Sequence, residues 1–274
     1  MSTQSVTVKA PGARLHVTVA GPEQGPPLVL LHGFPLHSGR WSAQSDALAD
    51  KWRVIAPDFR GHGRSEVGDG QYAIDFFADD LFAVLDALVP KRPVVACGLS
   101  MGGYVLLRAV ERERTRFAGL ILADTRSGID RDEARLKRFD AVRTLREKGA
   151  AGYAEEFVKG AVGKTTHAER PAVVAAVTEM AAAADPRGLI GALLAMAART
   201  DTTDMLEKLS MPTLVVVGDE DTLTHPDHSR EMATRIAGAR LVLIPGAGHL
   251  TPMEAPGPFT GALRTFLDGL TLPG

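Results

Sequence analysis

The chain has 274 residues, 45% of them apolar and 23% charged, with a formal net charge of −2; that length allows a large core in one domain or in a domain carrying an insertion, and so small a charge gives no basis for a nucleic-acid partner. A single cysteine, Cys97, excludes an internal disulfide framework and fits a reducing compartment. The opening MSTQSVTVKAPG lacks the basic-then-apolar pattern of a secretory signal, and no apolar run approaches the roughly 20 residues that span a bilayer, so a cytoplasmic location without a membrane partner is expected.

In chain order, SVTVKA and RLHVTVAG alternate with period two around Pro11-Gly12 and read as an antiparallel hairpin. The pattern then changes to short, nearly continuous apolar runs: PLVLLHG, WRVIAPD, PVVACGLS, FAGLILAD, TLVVVGDED and RLVLIPGAG. Such runs suit strands buried on both faces, as in parallel sheets. Helical patterns separate them at Trp41–Leu48, Ala73–Leu88, Met101–Val110 and Asp227–Ile236. Strands alternating with helices make an α/β fold with a mostly parallel central sheet flanked by helices.

One stretch interrupts the alternation. From Arg126 to Lys208 only helical patterns occur, including an Ala-rich segment at Ala172–Ala184. The expected organisation is therefore a core in two parts, residues 1–125 and 209–274, with residues 126–208 inserted as a helical cap over the strand ends. Leu136, Phe139, Val142 and Leu145 recur at helical spacing and could roof a pocket, although packing against the core is the expected role for most of them. A modest apolar pocket for small or medium esters or lactones is expected above Ser100.

Gly98-Leu99-Ser100-Met101-Gly102 lies between a strand pattern and a helical one, the context of a G-x-S-x-G nucleophile elbow. A serine hydroxyl is a poor nucleophile and must be exposed within reach of a base. A sharp strand-to-helix turn exposes it but crowds the backbone, which glycines on either side relieve. In a chain of 28 glycines the motif alone is weak; its position between strand and helix gives it weight. Of eight histidines, His249 follows the last strand in a run of small residues and is the candidate general base. His16 reads as a strand-face residue, His167 and His228 as solvated helix positions, and His32 and His62 as structural hydrogen-bonding residues in Gly-flanked loops. The orienting acid should follow a strand between Ser100 and His249. Asp219, Glu220 and Asp221 all meet that condition, with Asp124 as rival.

These residues resemble the α/β-hydrolase superfamily. The similarity rests on His32-Gly33-Phe34-Pro35, Asp58-Phe59-Arg60-Gly61-His62-Gly63-Arg64-Ser65, Gly98-Leu99-Ser100-Met101-Gly102-Gly103, Gly218-Asp219-Glu220-Asp221 and Gly248-His249, with Glu254-Ala255-Pro256 following. The resemblance implies Asp221 as the triad acid and the backbone N–H groups of Phe34 and Met101 as the oxyanion hole. Within the superfamily the chain looks most like small carboxylesterases and 3-oxoadipate enol-lactonases, which implies hydrolysis of small-molecule esters or lactones without a cofactor or metal. Cofactor-free haloperoxidase-type perhydrolases share the motifs. The same serine and histidine also suit C–C bond hydrolases or lyases. A non-catalytic ligand receptor could use the fold, but would not need all three of Ser100, Asp221 and His249. Haloalkane dehalogenases would need an aspartate where Ser100 stands.

Overall fold

The computed structural model describes residues 3–271. Its centre is an eight-stranded sheet of β1 (Gln4–Ala10), β2 (Ala13–Ala20), β3 (Pro27–Leu31), β4 (Arg53–Pro57), β5 (Val94–Leu99), β6 (Phe117–Ala123), β7 (Thr213–Gly218) and β8 (Arg240–Ile244), in the order β1-β2-β4-β3-β5-β6-β7-β8. β1 pairs antiparallel with β2, and β2 with β4; every other pairing is parallel. The helices outside the β6–β7 connection are α1 (Ser42–Leu48), α2 (Ile74–Leu88), α3 (Met101–Arg112), α8 (Pro226–Arg235), α9 (Thr251–Glu254) and α10 (Pro256–Asp268).

The apolar runs become central strands because both faces are covered. On β3, Val29 and Leu31 join a core layer with Leu81, Leu85 and Val105, while Leu28 and Leu30 join the opposite layer with Trp41, Phe259 and Leu263. Successive side chains point to opposite faces of a strand, and each large aliphatic group fully buried this way contributes about 1.5–3 kcal/mol. β8 departs from the expectation of two-sided burial: it is an edge strand whose Arg240 and Leu243 are exposed. Its apolar run reads like a central strand, but among the described residues only β7 pairs with it.

Between β6 and β7 the described elements are helical: α4 (Asp132–Ala161), α5 (Lys164–Glu169), α6 (Pro171–Ala182), α7 (Pro186–Ala197) and a short 3-10 turn at Thr203–Lys208. α4 breaks at Gly149, whose φ of 69° lies in the left-handed region that favours glycine. A Cβ there would meet nothing, so the backbone conformation, not space, sets the residue. No single described helix is long and apolar enough to cross a membrane.

Candidate active site

Ser100 stands between β5 and α3 with φ 51° and ψ −113°, a conformation that costs a non-glycine residue of order 1–3 kcal/mol. The surroundings hold it there. A Cβ on Gly98 would collide with the backbone of Gly102, and one on Gly102 would lie 2.5 Å from the Leu31 carbonyl oxygen. The Ser100 N–H donates to the Ala123 carbonyl at 2.9 Å, and the Thr125 hydroxyl donates to the Ser100 carbonyl at 2.8 Å. The turn is thus tied to β6 on both sides of the strained residue.

The strand ends bring the other groups to Ser100. His249, in the loop after β8, places Nε2 2.7 Å from Ser100 Oγ, and its Nδ1 lies 2.8 Å from Asp221 Oδ2. Asp221 follows β7. Its carboxylate also accepts from the N–H groups of Leu223 and Thr224, at 2.8 and 2.9 Å, and from the Thr224 hydroxyl at 2.7 Å. Burial works against its charge, but His249 and these donors outweigh burial and hold its pKa below the usual carboxylate range. Burial likewise opposes charge on His249, yet the Asp221 carboxylate raises its pKa above that of a free imidazole.

The neighbouring acids are engaged elsewhere. Asp219 accepts from Gly246 N–H at 2.8 Å, and Glu220 accepts from the N–H and hydroxyl of Thr165 at 2.9 and 2.7 Å. Asp124 is fully buried and accepts from Gly218 N–H at 3.0 Å and the Thr251 hydroxyl at 2.5 Å. Burial and the nearby Asp221 charge push its pKa up to about 8. It ties β6 to β7 and α9.

The N–H groups of Phe34 and Met101 sit at the ends of β3 and β5, and among the described residues neither donates to a protein acceptor. His32 fixes the loop that carries Phe34. Its Nδ1–H donates to Gly33 O at 3.1 Å and its Nε2 accepts from Phe59 N–H at 3.0 Å, which requires the neutral ring. Burial, with the neighbouring His62, lowers its pKa to about 3; burial lowers that of His62 to about 4. His16 lies in β2, His167 is exposed and His228 is half-buried.

Two contributions have no role in the sequence reading, although Glu254 lies in one of the matching segments. Glu254 accepts from the N–H groups of Gly163, Gly248 and Leu250 and from the Thr166 hydroxyl, joining the His249 loop to the α4–α5 corner. The N–H of His249 itself donates to Ala161 at 2.9 Å. The helices between β6 and β7 therefore help hold the loop that carries His249.

A cavity of about 370 Å³ opens above Ser100 and His249. Phe34, Phe157, Leu193 and Met196 give it apolar walls, but Arg126, Asp130, Lys137 and Arg138 line it as well. The four residues weighed for the roof do not form it. Leu136 and Phe139 are exposed on α4 and Leu145 is packed in the core, and none of these, nor Val142, lines the cavity. Among the described residues, no group of three or more His, Cys, Asp or Glu side chains is placed to hold a metal ion.

Residues 26–256 match the family described as alpha/beta hydrolase fold. A thermophilic esterase from Thermogutta terrifontis superimposes with a TM-score of 0.91 at 40% identity, over 97% of this chain and 98% of that one. The enol-lactonase from Burkholderia xenovorans gives a TM-score of 0.88 at 27% identity, over 96% and 100% of the respective chains. A non-heme chloroperoxidase from Kitasatospora aureofaciens is 36% identical over 238 residues, 82% of this chain and 86% of that protein.

Proposed function

The chain belongs to the α/β-hydrolase fold family and is an ester hydrolase, and on that premise we propose that it cleaves carboxylic ester or lactone bonds of small molecules by acyl transfer through Ser100. In this reading His249 takes the Ser100 proton as Oγ attacks the carbonyl carbon. Phe34 and Met101 donate their N–H groups to the oxyanion, each worth about 3–4 kcal/mol in the transition state. The imidazolium then passes its proton to the departing alkoxide. Water, deprotonated by His249, hydrolyses the acyl-enzyme and restores Ser100. Asp221 fixes the tautomer that presents a lone pair on Nε2 and stabilises the imidazolium. A lactone follows the same path, its alcohol remaining attached to the acyl group. The segments 1–125 and 209–274 supply these groups, and 126–208 roofs the cavity.

The observation that carries the reading is the relay from Asp221 through His249 to Ser100 Oγ, with links of 2.8 and 2.7 Å, beside two N–H groups without acceptors among the described residues. A fluorophosphonate probe tests it. The expected result is labelling of Ser100 in the wild type and none in Ser100→Ala; labelling of another residue overturns it. The similarity to a chloroperoxidase favours one second reading, perhydrolysis, in which hydrogen peroxide replaces water at the acyl-enzyme and releases a peracid. Rapid peracid formation from an ester and peroxide, with slow hydrolysis of the same ester, would select it.

A further inference from the structure

The polar end of the cavity carries more positive charge than its one acid can balance. Asp130, whose side chain is fully buried, is shared by three guanidinium groups: Arg126 through Nη2, Arg138 through Nε, and Arg199 through Nη1 at 2.9 Å. Three cations against one carboxylate leave two charges in excess. Arg126 and Arg138 both line the cavity that opens on Ser100, each with a side chain 19% exposed. Arg126 Nε is buried and has no hydrogen-bond partner among the described residues. Arg199, stacked 4.2 Å over the ring of Tyr104, backs the pair from behind. Asp201, near Arg199, accepts from Thr203 N–H and does not line the cavity.

A knot of this kind pins α4 and α7 to the loop after β6, with Arg199 donating to the Met196 and Gly128 carbonyls at 2.9 and 2.7 Å, but that anchoring leaves Arg126 and Arg138 facing the cavity. Holding extra guanidinium groups out of water is costly unless their donors and charge are matched. Guanidinium forks match carboxylates in both geometry and charge.

We propose that Arg126 and Arg138 form a carboxylate subsite at the cap end of the cavity, which selects esters or lactones carrying a free carboxyl group in addition to the scissile bond. The subsite rests on the ester-hydrolase reading of Ser100, because the same cavity holds both. It makes Arg126 and Arg138 specificity-determining residues with no part in proton transfer. The crowding of cations fits: burial together with the fields of Arg138 and Arg126 lowers the pKa of Arg199, against the pull of Asp130 and Tyr104.

The test compares two p-nitrophenyl esters of one shape, the glutarate half-ester and the neutral 5-methylhexanoate, whose terminal isopropyl group replaces the carboxylate. Wild-type kcat/KM is expected to favour the half-ester by about 10- to 100-fold, the range of a charge-assisted hydrogen bond, and the preference should shrink as salt is added. Arg138→Met and Arg126→Met should collapse that ratio, mainly through KM for the half-ester. Glutarate should inhibit wild-type hydrolysis of the neutral ester competitively, a reading that needs no variant. Equal or better turnover of the neutral ester, or no inhibition by glutarate, overturns the subsite and leaves the esterase reading standing. Absence of turnover of both esters together with absence of Ser100 labelling overturns both.

Discussion

Two regions of this molecule carry a serine, a histidine and an aspartate in line. One is Ser100–His249–Asp221, with links of 2.7 and 2.8 Å. The other lies at the antiparallel edge of the sheet. There Ser5 Oγ is 3.2 Å from His16 Nε2, and His16 Nδ1 is 3.1 Å from Asp58 Oδ2. The two share residue types and order of contact but differ in what surrounds the hydroxyl. Ser100 is strained at a helix N-terminus, beside two N–H groups with no acceptor among the described residues, beneath a cavity. Ser5 lies exposed within β1, outside the left-handed backbone region and with no helix starting behind it. Asp58 also serves local structure, accepting from the N–H groups of Ser38 and Arg64 at 2.7 and 3.0 Å. A hydrogen-bonded relay is thus compatible with a purely structural role. What separates the proposed catalytic relay is provision for the charge that develops on a substrate oxygen.

The largest expected effect tests that separation directly. Ser100→Ala should lower kcat by on the order of 10⁶, as when a nucleophile is removed from an intact triad, with circular dichroism unchanged. Next in size, Asp221→Asn should cost on the order of 10⁴ in kcat by favouring the wrong imidazole tautomer. Asp124→Asn should cost no more than about tenfold in kcat, because Asp124 is bound to Gly218 and Thr251 and its pKa is already pushed up to about 8. A greater loss in Asp124→Asn than in Asp221→Asn would transfer the orienting role to β6.

Much of this was legible in the sequence, for identifiable reasons. Two-sided burial forces continuous apolar runs, so β3 to β7 announce themselves; β8 carries the same run at an edge, where only its position in the sheet distinguishes it. α10 is obscured by Pro256, Gly257 and Pro258 at its start, where proline fits the first turn because its missing N–H has no partner there anyway. The Ser100 elbow reads directly, since its glycines answer a local steric demand. Residue type could not rank Asp219, Glu220 and Asp221, because each is a carboxylate one step along the same turn. Only the resemblance singled out Asp221, and the separate partners of the other two depend on where β8 and α5 lie. The charged cavity end was hidden for the same reason: Arg126, Asp130, Arg138 and Arg199 are spread over a charge-rich stretch of chain and look like ordinary solvated charges.

Acidity distinguishes the groups further. A protonated His249 cannot accept the Ser100 proton, so kcat/KM should fall about tenfold per pH unit on the acid side. Because the Asp221 charge raises the His249 pKa, that limb should lie above the ordinary imidazole value near 6.5. Stability should respond in a different window. His32 and His62 have folded pKa values of about 3 and about 4, so the unfolded chain binds their protons first as pH falls. Their contribution is present above about pH 6.5 and is lost as pH falls toward those values. Activity profiles and urea midpoints measured across pH 4–9 should therefore separate, activity failing before the fold.

The smallest expected effect belongs to Ser5→Ala, and it bears most directly on the comparison. The hydroxyl is exposed, and its link to His16 at 3.2 Å is the longest in either relay. Truncating an exposed side chain away from the core typically changes stability by no more than about 0.5 kcal/mol. His16 would keep its contact with Asp58, and its N–H would keep donating to the Ser65 hydroxyl at 2.9 Å, so β2 should keep its register against β4. Ser5→Ala should accordingly leave kcat/KM, fluorophosphonate labelling and the urea midpoint close to wild type. If activity or labelling falls with Ser5, the edge relay takes part in chemistry, and geometry around the hydroxyl is not what sets the two apart. If only the midpoint falls, by well over 1 kcal/mol, the edge relay is a structural clamp and the catalytic contrast stands.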